Sequence, residues 1–323
     1  MTKDGAEPGK NPLAEVIEGG LPQLLLGPAG KAISRLLGAV VEVPASYLDG
    51  RTQRIKDRTS ARSKVTEAIA QKAAQLAVED QDVLDRGLNS LLDKAYRTQN
   101  NRDAIAEKVI EQLADDPAPS DSPGPSDDWL NMFEDYAARA SSESLRDLFS
   151  RVLAGEVRKP GSFSLSTMQF ISVLDAPIAA LIERMSPHVW NGSTVLQDAV
   201  DGVLTYAELL ELEEVGYLNM GSGMLSINPT TDSDGNQLFR SGVHVIHSIY
   251  DPNKKLSFRA YMLTRSGREL TRALGVEPQI APTVGAIWAA KNTPQKVRSG
   301  YVRSESDGRL QIAYAMDHPK PND

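Results

Sequence analysis

Apolar positions recur at spacings of three and four along the first half of the chain. Strand-like alternation gathers only towards its end, so helices are expected first and strands later. Met1 to Pro12 is polar and broken by Gly5, Pro8, Gly9 and Pro12, the pattern of a loose tail. Pro28 suits the first turn of a helix from about Ala29 to Val43, stopped before Pro44, with Ile33, Leu36, Leu37, Val40 and Val41 as its apolar stripe. From Val65 to Leu113 three helical faces follow: Val65, Ile69, Ala73 and Leu76; Leu84, Leu88, Leu91 and Ala95; and Ile105, Val109 and Leu113. Only Gly87 weakens this stretch, which predicts two or three long helices packed as hairpins or as an extended coiled-coil arm.

Asp115 to Asp128 is rich in proline, small residues and acids, a composition that packs no core and is expected to form a flexible or extended linker. Beyond it, Trp129, Phe133 and Tyr136 mark a helix capped by Asp127 or Asp128. Leu145, Leu148, Phe149, Val152 and Leu153 mark another, capped by Ser141 or Ser142. Pro160-Gly161 breaks that helix, Ser164 caps the next, and Pro177 restarts the chain as a helix through Met185. Thr205 and Glu208 form a capping box, and Gly216 stops the helix they open. Tyr217 to Asn228 is expected to form a short hairpin. Val243–Tyr250 and Leu256–Leu263 are expected to pair across Asp251-Pro252-Asn253. A helix capped by Thr264 or Ser266 and ending at Leu274, a short apolar helix over 281–290, and a hairpin across Ser306-Asp307-Gly308 complete the pattern.

The fold class is therefore α+β: a long helical N-terminal arm, then a helical and mixed α+β C-terminal domain with winged-helix-like elements. The expected divisions are a tail over 1–20, a helical region over 21–114, an acidic linker over 115–127, a helical subdomain over 128–187 and a winged-helix-like domain over 188–318.

Charge narrows the functional classes. The net charge is −8, which argues against a generally basic nucleic-acid coat. Against that average, Arg51, Arg54, Lys56, Arg58, Arg62 and Lys64 face a single acid, Asp57. This cluster is a solvated helix face, a phosphate-binding segment or, beside the apolar stripe at 33–41, an attachment to anionic lipid. It lacks aromatic residues for base stacking. The longest charge-free apolar run there, Leu36 to Val41, is far shorter than a membrane-spanning helix needs. A recognition helix at Tyr206–Val215 would carry Glu208, Glu211, Glu213 and Glu214 towards phosphate, so protein docking is favoured over DNA reading; Arg265, Arg268 and Arg272 could supply a compensating face.

Few residues are arranged for chemistry. There is no cysteine, which removes disulfides, thiolate metal sites and thiol nucleophiles. Gly27-Pro-Ala-Gly-Lys31 fails the phosphate-loop pattern at both ends, and Gly221-Ser-Gly223 is too short for a dinucleotide loop. His244 and His247, three apart on an expected strand, point to opposite faces and cannot easily share a metal. No catalytic residue, metal ligand or cofactor is assigned.

Asp128-Trp-Leu-Asn-Met-Phe-Glu-Asp-Tyr-Ala137, Ser141-Ser-Glu-Ser-Leu-Arg-Asp-Leu-Phe149, Leu153-Ala-Gly-Glu156 and Lys159-Pro-Gly-Ser-Phe-Ser164 together resemble the bacterial domain-of-unknown-function 2806 family. Leu25-Leu-Gly-Pro-Ala-Gly30 and Leu263-Thr-Arg-Ser-Gly-Arg-Glu-Leu270 extend the similarity. The resemblance singles out Trp129, Gly155, Glu156, Lys159, Pro160, Gly161 and Ser164 but implies no activity. By its residues, Glu156 beside Arg158 and Lys159 is expected to be a structural ion pair or cap, with a general base as the alternative. The Leu-Thr-x-x-Gly-x-x-Leu pattern is also similar to the tail of an abortive-infection family of the alpha type, which implies a role in phage defence. The expectation is a non-enzymatic bacterial adaptor or sensor acting through helical surfaces, with a protein partner or a second copy of itself. It is expected in the cytoplasm, or peripheral to the inner membrane. The alternatives are a nucleic-acid-binding defence component using residues 51–64 and a peripheral membrane effector.

Overall fold

The computed structural model describes residues 27–38, 67, 81–221, 225–306 and 309–321. The chain divides into two compact units, Met1–Phe163 and Ser164–Asp323. The proline-rich stretch at 115–127 lies inside the first unit. There Gly124 and Pro125 are buried and the Ser122 hydroxyl donates to the Val157 carbonyl at 2.9 Å.

The first unit is helical. α1 spans Pro28–Leu37 and α2 spans Gln81–Asp115. α3 covers Asp127–Ala137 and α4 covers Glu143–Arg158. α1 ends at Leu37, short of the expected Val43, because Gly38 takes a left-handed turn (φ 60°) and returns its N–H to the Arg35 carbonyl. Its apolar face, Ala29, Ala32, Ile33 and Leu36, is buried, and α1 packs on α2, α3 and α4. That burial consumes the part of the stripe within 28–37 which a membrane surface would need. Outside the core, Lys31 pairs with Asp127 at 2.7 Å and Arg35 reaches Glu134 and Asn131.

α2 runs unbroken through Gly87, so the two faces expected at 84–95 and 105–113 belong to one helix of 35 residues, roughly 50 Å long. Its second half enters the core through Ile105, Ala106, Val109, Ile110 and Leu113. α3 is capped by Ser126, whose side chain accepts from the Trp129 N–H. Asp127 and Asp128, expected as caps, instead occupy the first turn, where the helix dipole favours a carboxylate. Trp129 stacks on Phe133 with ring centroids 5.1 Å apart, and Phe133 meets Phe149 edge-on.

The second unit mixes helices with two antiparallel sheets. α5 spans Leu165–Ser172, α6 Ala176–Met185, α7 Gln197–Val200, α8 Tyr206–Glu214, α9 Arg265–Leu274 and α10 Ile280–Ala289. The strands are β1 (Thr194–Leu196), β2 (Leu218–Asn219), β3 (Ser226–Ile227), β4 (Asn236–Ser241), β5 (His244–Ile249), β6 (Phe258–Leu263), β7 (Lys296–Ser306) and β8 (Arg309–His318). The caps at Ser142, Ser164, Asp175 and Thr264 and the capping box at Thr205 and Glu208 all form.

β6 is the middle strand of the first sheet, with β1 and β2 beside it and β3 paired further along it. The succession α6, β1, α7, α8, β2, β6, with β1 and β2 both on β6, is the winged-helix-like part. Two hairpins expected from the sequence do not form. β2 and β3 each pair with β6 rather than with each other. β5 and β6 belong to different sheets: β5 sits between β4 and β7, and β8 completes that second sheet. β4 carries Asn236, Gln237, Arg240 and Ser241, so it has no apolar alternation to announce it. Trp190, Phe239, Ile246, Tyr250, Phe258, Ile287 and Val297 form the core joining the sheets to α7 and α10. The Trp190 indole N–H donates to the Thr283 hydroxyl at 2.7 Å.

Candidate functional site

The residues singled out by the sequence occupy two structural latches, one in each unit. In the first unit, the Glu156 carboxylate is buried at the end of α4. One oxygen accepts from the Gly161 N–H at 2.6 Å and the other from the Phe163 N–H at 2.9 Å. The turn at Lys159–Gly161 is thus closed over a carboxylate of its own helix. Trp129 adds a second tie, its indole N–H donating to the Phe163 carbonyl at 2.7 Å. Gly155 leaves space for the Phe163 ring, since a Cβ there would sit 2.7 Å from Cε2. Lys159 is exposed and ends α4, its N–H returning to the Gly155 carbonyl; Pro160 is half-buried. Arg158 turns instead to Asp116 at 3.0 Å and to the Gln112 carbonyl at the end of α2.

In the second unit, Ser164 heads α5, and both its N–H (2.6 Å) and its hydroxyl (2.9 Å) donate to Glu269 Oε2. Thr167 donates to the same oxygen at 2.6 Å, and Arg265 pairs with Oε1 at 2.8 Å. Burial opposes ionisation of Glu269, but the Ser164 N–H, Thr167 and Arg265 outweigh it and hold the carboxyl below the usual range. Glu269 was not singled out from the sequence, although it lies inside the quoted Leu263–Leu270 pattern. Its signal is an acid on the inner face of a basic helix, which periodicity alone could have marked.

The basic residues Arg51, Arg54, Lys56, Arg58, Arg62 and Lys64 lie outside the described residues. The histidines are dispersed. His244 stands across from Tyr301 and His247 across from Arg298. The His247 ring bridges the Tyr314 hydroxyl (2.6 Å) and Asn236 Oδ1 (2.7 Å). Among the described residues no group of three or more histidines, cysteines or carboxylates could hold a metal ion.

Two surfaces stand out. The first half of α2 carries exposed apolar side chains on neighbouring turns: Leu88, Leu91 at 60% exposure, Leu92 at 65% and Tyr96 at 75%. Soluble helices ordinarily bury such a stripe. On α8, Tyr206 and Leu210 are exposed beside Glu211 and Glu214. This acidic, partly apolar face suits a polypeptide better than a phosphate backbone.

Residues 85–194, about a third of the chain, match the sequence profile of a family described as Protein of unknown function (DUF2806). The match takes in most of α2, all of α3 to α6 and the start of β1, and with them the Trp129–Ser164 motif. The Leu263–Leu270 pattern lies outside it. No curated protein and no solved structure matches the chain. Among the described residues no helix is long and apolar enough to cross a membrane.

Proposed function

We propose that this protein is a non-enzymatic adaptor or sensor that acts by holding partners through helical surfaces, and that the exposed stripe of α2 docks a second copy of the chain. The exposure of Leu88, Leu91 and Leu92 on a helix whose other half is core carries this reading. The occupant follows from the order of residues. About a midpoint between Asn89 and Ser90, the helix is self-complementary. Asp82 mirrors Arg97, Asp85 mirrors Lys94, and Arg86 mirrors Asp93, while Leu88 mirrors Leu91 and Gly87 mirrors Leu92. Two antiparallel copies related by a two-fold axis there bring opposite charges to the same height, leucine against leucine, and glycine where a leucine needs room. Such a contact is isologous and closes on itself.

Sedimentation of the intact protein tests this. The expected result is a dimer that the double variant Leu88→Asp/Leu91→Asp converts to a monomer that still unfolds cooperatively, because both side chains are exposed in the single chain. A monomeric wild type at the highest soluble concentration, or a variant that still dimerises, overturns it.

The nucleic-acid alternative rests on residues 51–64. Charge reversal of Arg54, Arg58 and Arg62 is expected to abolish salt-sensitive binding if that segment carries it; unchanged affinity excludes the segment. A place in phage defence rests on the Leu263–Leu270 pattern alone, and plaque counts on cells with and without the gene test it.

A further inference from the structure

A recess lies wholly within the second unit, where the last turns of α9 face the β4–β5 turn. It is a cleft of ≈ 390 Å³, within the usual size of small-molecule sites. Three arginines line it, Arg240 from β4 and Arg268 and Arg272 from consecutive turns of α9. One carboxylate lines it, Glu277, and that is engaged by His244 Nε2 at 3.2 Å. In a chain of net charge −8, three guanidinium groups lining one recess are a local concentration of cationic side chains.

Arg240 and Arg268 are held in place from behind. Arg240 Nε donates to the Gly242 carbonyl at 3.0 Å and its Nη1 pairs with Glu305 at 2.9 Å. Arg268 Nη1 donates to the Leu263 carbonyl at 3.3 Å. Each of these bonds uses one of the five N–H donors a guanidinium carries. The carbonyl end of α9 disfavours an anion beside Gly275, but helical side chains lean towards the N-terminus and carry Arg268 and Arg272 away from that end. Val189, Val243 and Val276 supply an apolar wall for an uncharged remainder of the ligand.

We propose that this cleft binds a phosphorylated small molecule, its phosphate seated on Arg268 and Arg272 and its remainder against the valines. Guanidinium forks match phosphate oxygens in charge and in geometry. A nucleic-acid strand is disfavoured because the acidic α8 belongs to the same unit and the cleft has the dimensions of a small molecule.

Titration calorimetry on the full chain, with inorganic pyrophosphate, adenosine monophosphate and a hexose phosphate as separate probes and a short DNA duplex alongside, tests the assignment. The expected result is one site per chain for at least one phosphorylated probe, weakened about tenfold or more by Arg268→Gln/Arg272→Gln. Should that variant fail to melt cooperatively, Val243→Glu, which places a carboxylate at an exposed position of the same wall, is expected to weaken the same probe. Absence of binding by all three probes, binding that survives the substitutions, or duplex binding lost in the same variants overturns the proposal.

Discussion

Glu156 and Glu269 are buried carboxylates that do similar work in different units: Glu156 satisfies the backbone N–H groups of Gly161 and Phe163, and Glu269 satisfies the backbone N–H of Ser164 together with the Ser164 and Thr167 hydroxyls. Their removal strands buried donors. Glu156→Ala is expected to lower stability by about 2–3 kcal/mol, read from denaturant unfolding, because two N–H groups lose their acceptor. Gly155→Ala is expected to cost about 1–3 kcal/mol by the same measurement, since the added methyl would meet the Phe163 ring. Glu156 could be picked out in the sequence as a cap or ion pair beside a helix break. Its acceptance of backbone N–H groups rather than Arg158 could not, because both arrangements need the same residues at the same spacing. Gly235, held at φ 79° with the Tyr250 carbonyl 2.1 Å from where a Cβ would stand, was equally silent in the sequence.

At the scale of elements, helices were legible because their signals are local. The serine, aspartate and threonine caps and the capping box at Thr205 are each set by residues within three positions of one another. Glu208 carries a measurable consequence. The Thr205 N–H, Arg184 and the Thr205 hydroxyl hold its carboxyl down at about 2, so its support for α8 is present above its ordinary value of 4.5 and lost as pH falls towards 2. Amide protection in α8 is expected to decline across that interval in the wild type and to be reduced and flat in Glu208→Gln. In α2, Gly87 lies inside a helix with nothing of its own chain against it, so in the monomeric Leu88→Asp/Leu91→Asp background Gly87→Ala is expected to stabilise the first half by up to about 1 kcal/mol, seen as slower hydrogen exchange around it. Strands were less legible. β5 reads as a partner for β6 because both alternate and a turn lies between them. Yet β4, polar and unannounced, takes that place through a tight turn at Gly242.

At the scale of the molecule, all four histidines fall in the second unit, at positions 188, 244, 247 and 318. Burial lowers the imidazole pKa of His188 and His318. At His247 burial and then the Arg298 charge lower it, against the pull of Asp232. The unfolded chain therefore binds more protons, and stability is lost as pH falls below the ordinary histidine value of about 6.5. Calorimetry is expected to show the second unit unfolding at lower temperature at pH 5.5 than at 7.5. That difference is expected to shrink in His188→Gln/His247→Gln, while the first unit, without histidine, stays level. The sequence by itself determined the order of helices before strands, most caps and stops, and the motif around Trp129–Ser164, because propensity, capping and periodicity act over a few residues. Only the tertiary structure decided which half of α2 is core and which is exposed, which strands pair, and that Arg240, Arg268 and Arg272 meet around one cleft. Those facts depend on contacts between residues far apart in the chain, and local patterns carry no record of what lies opposite them.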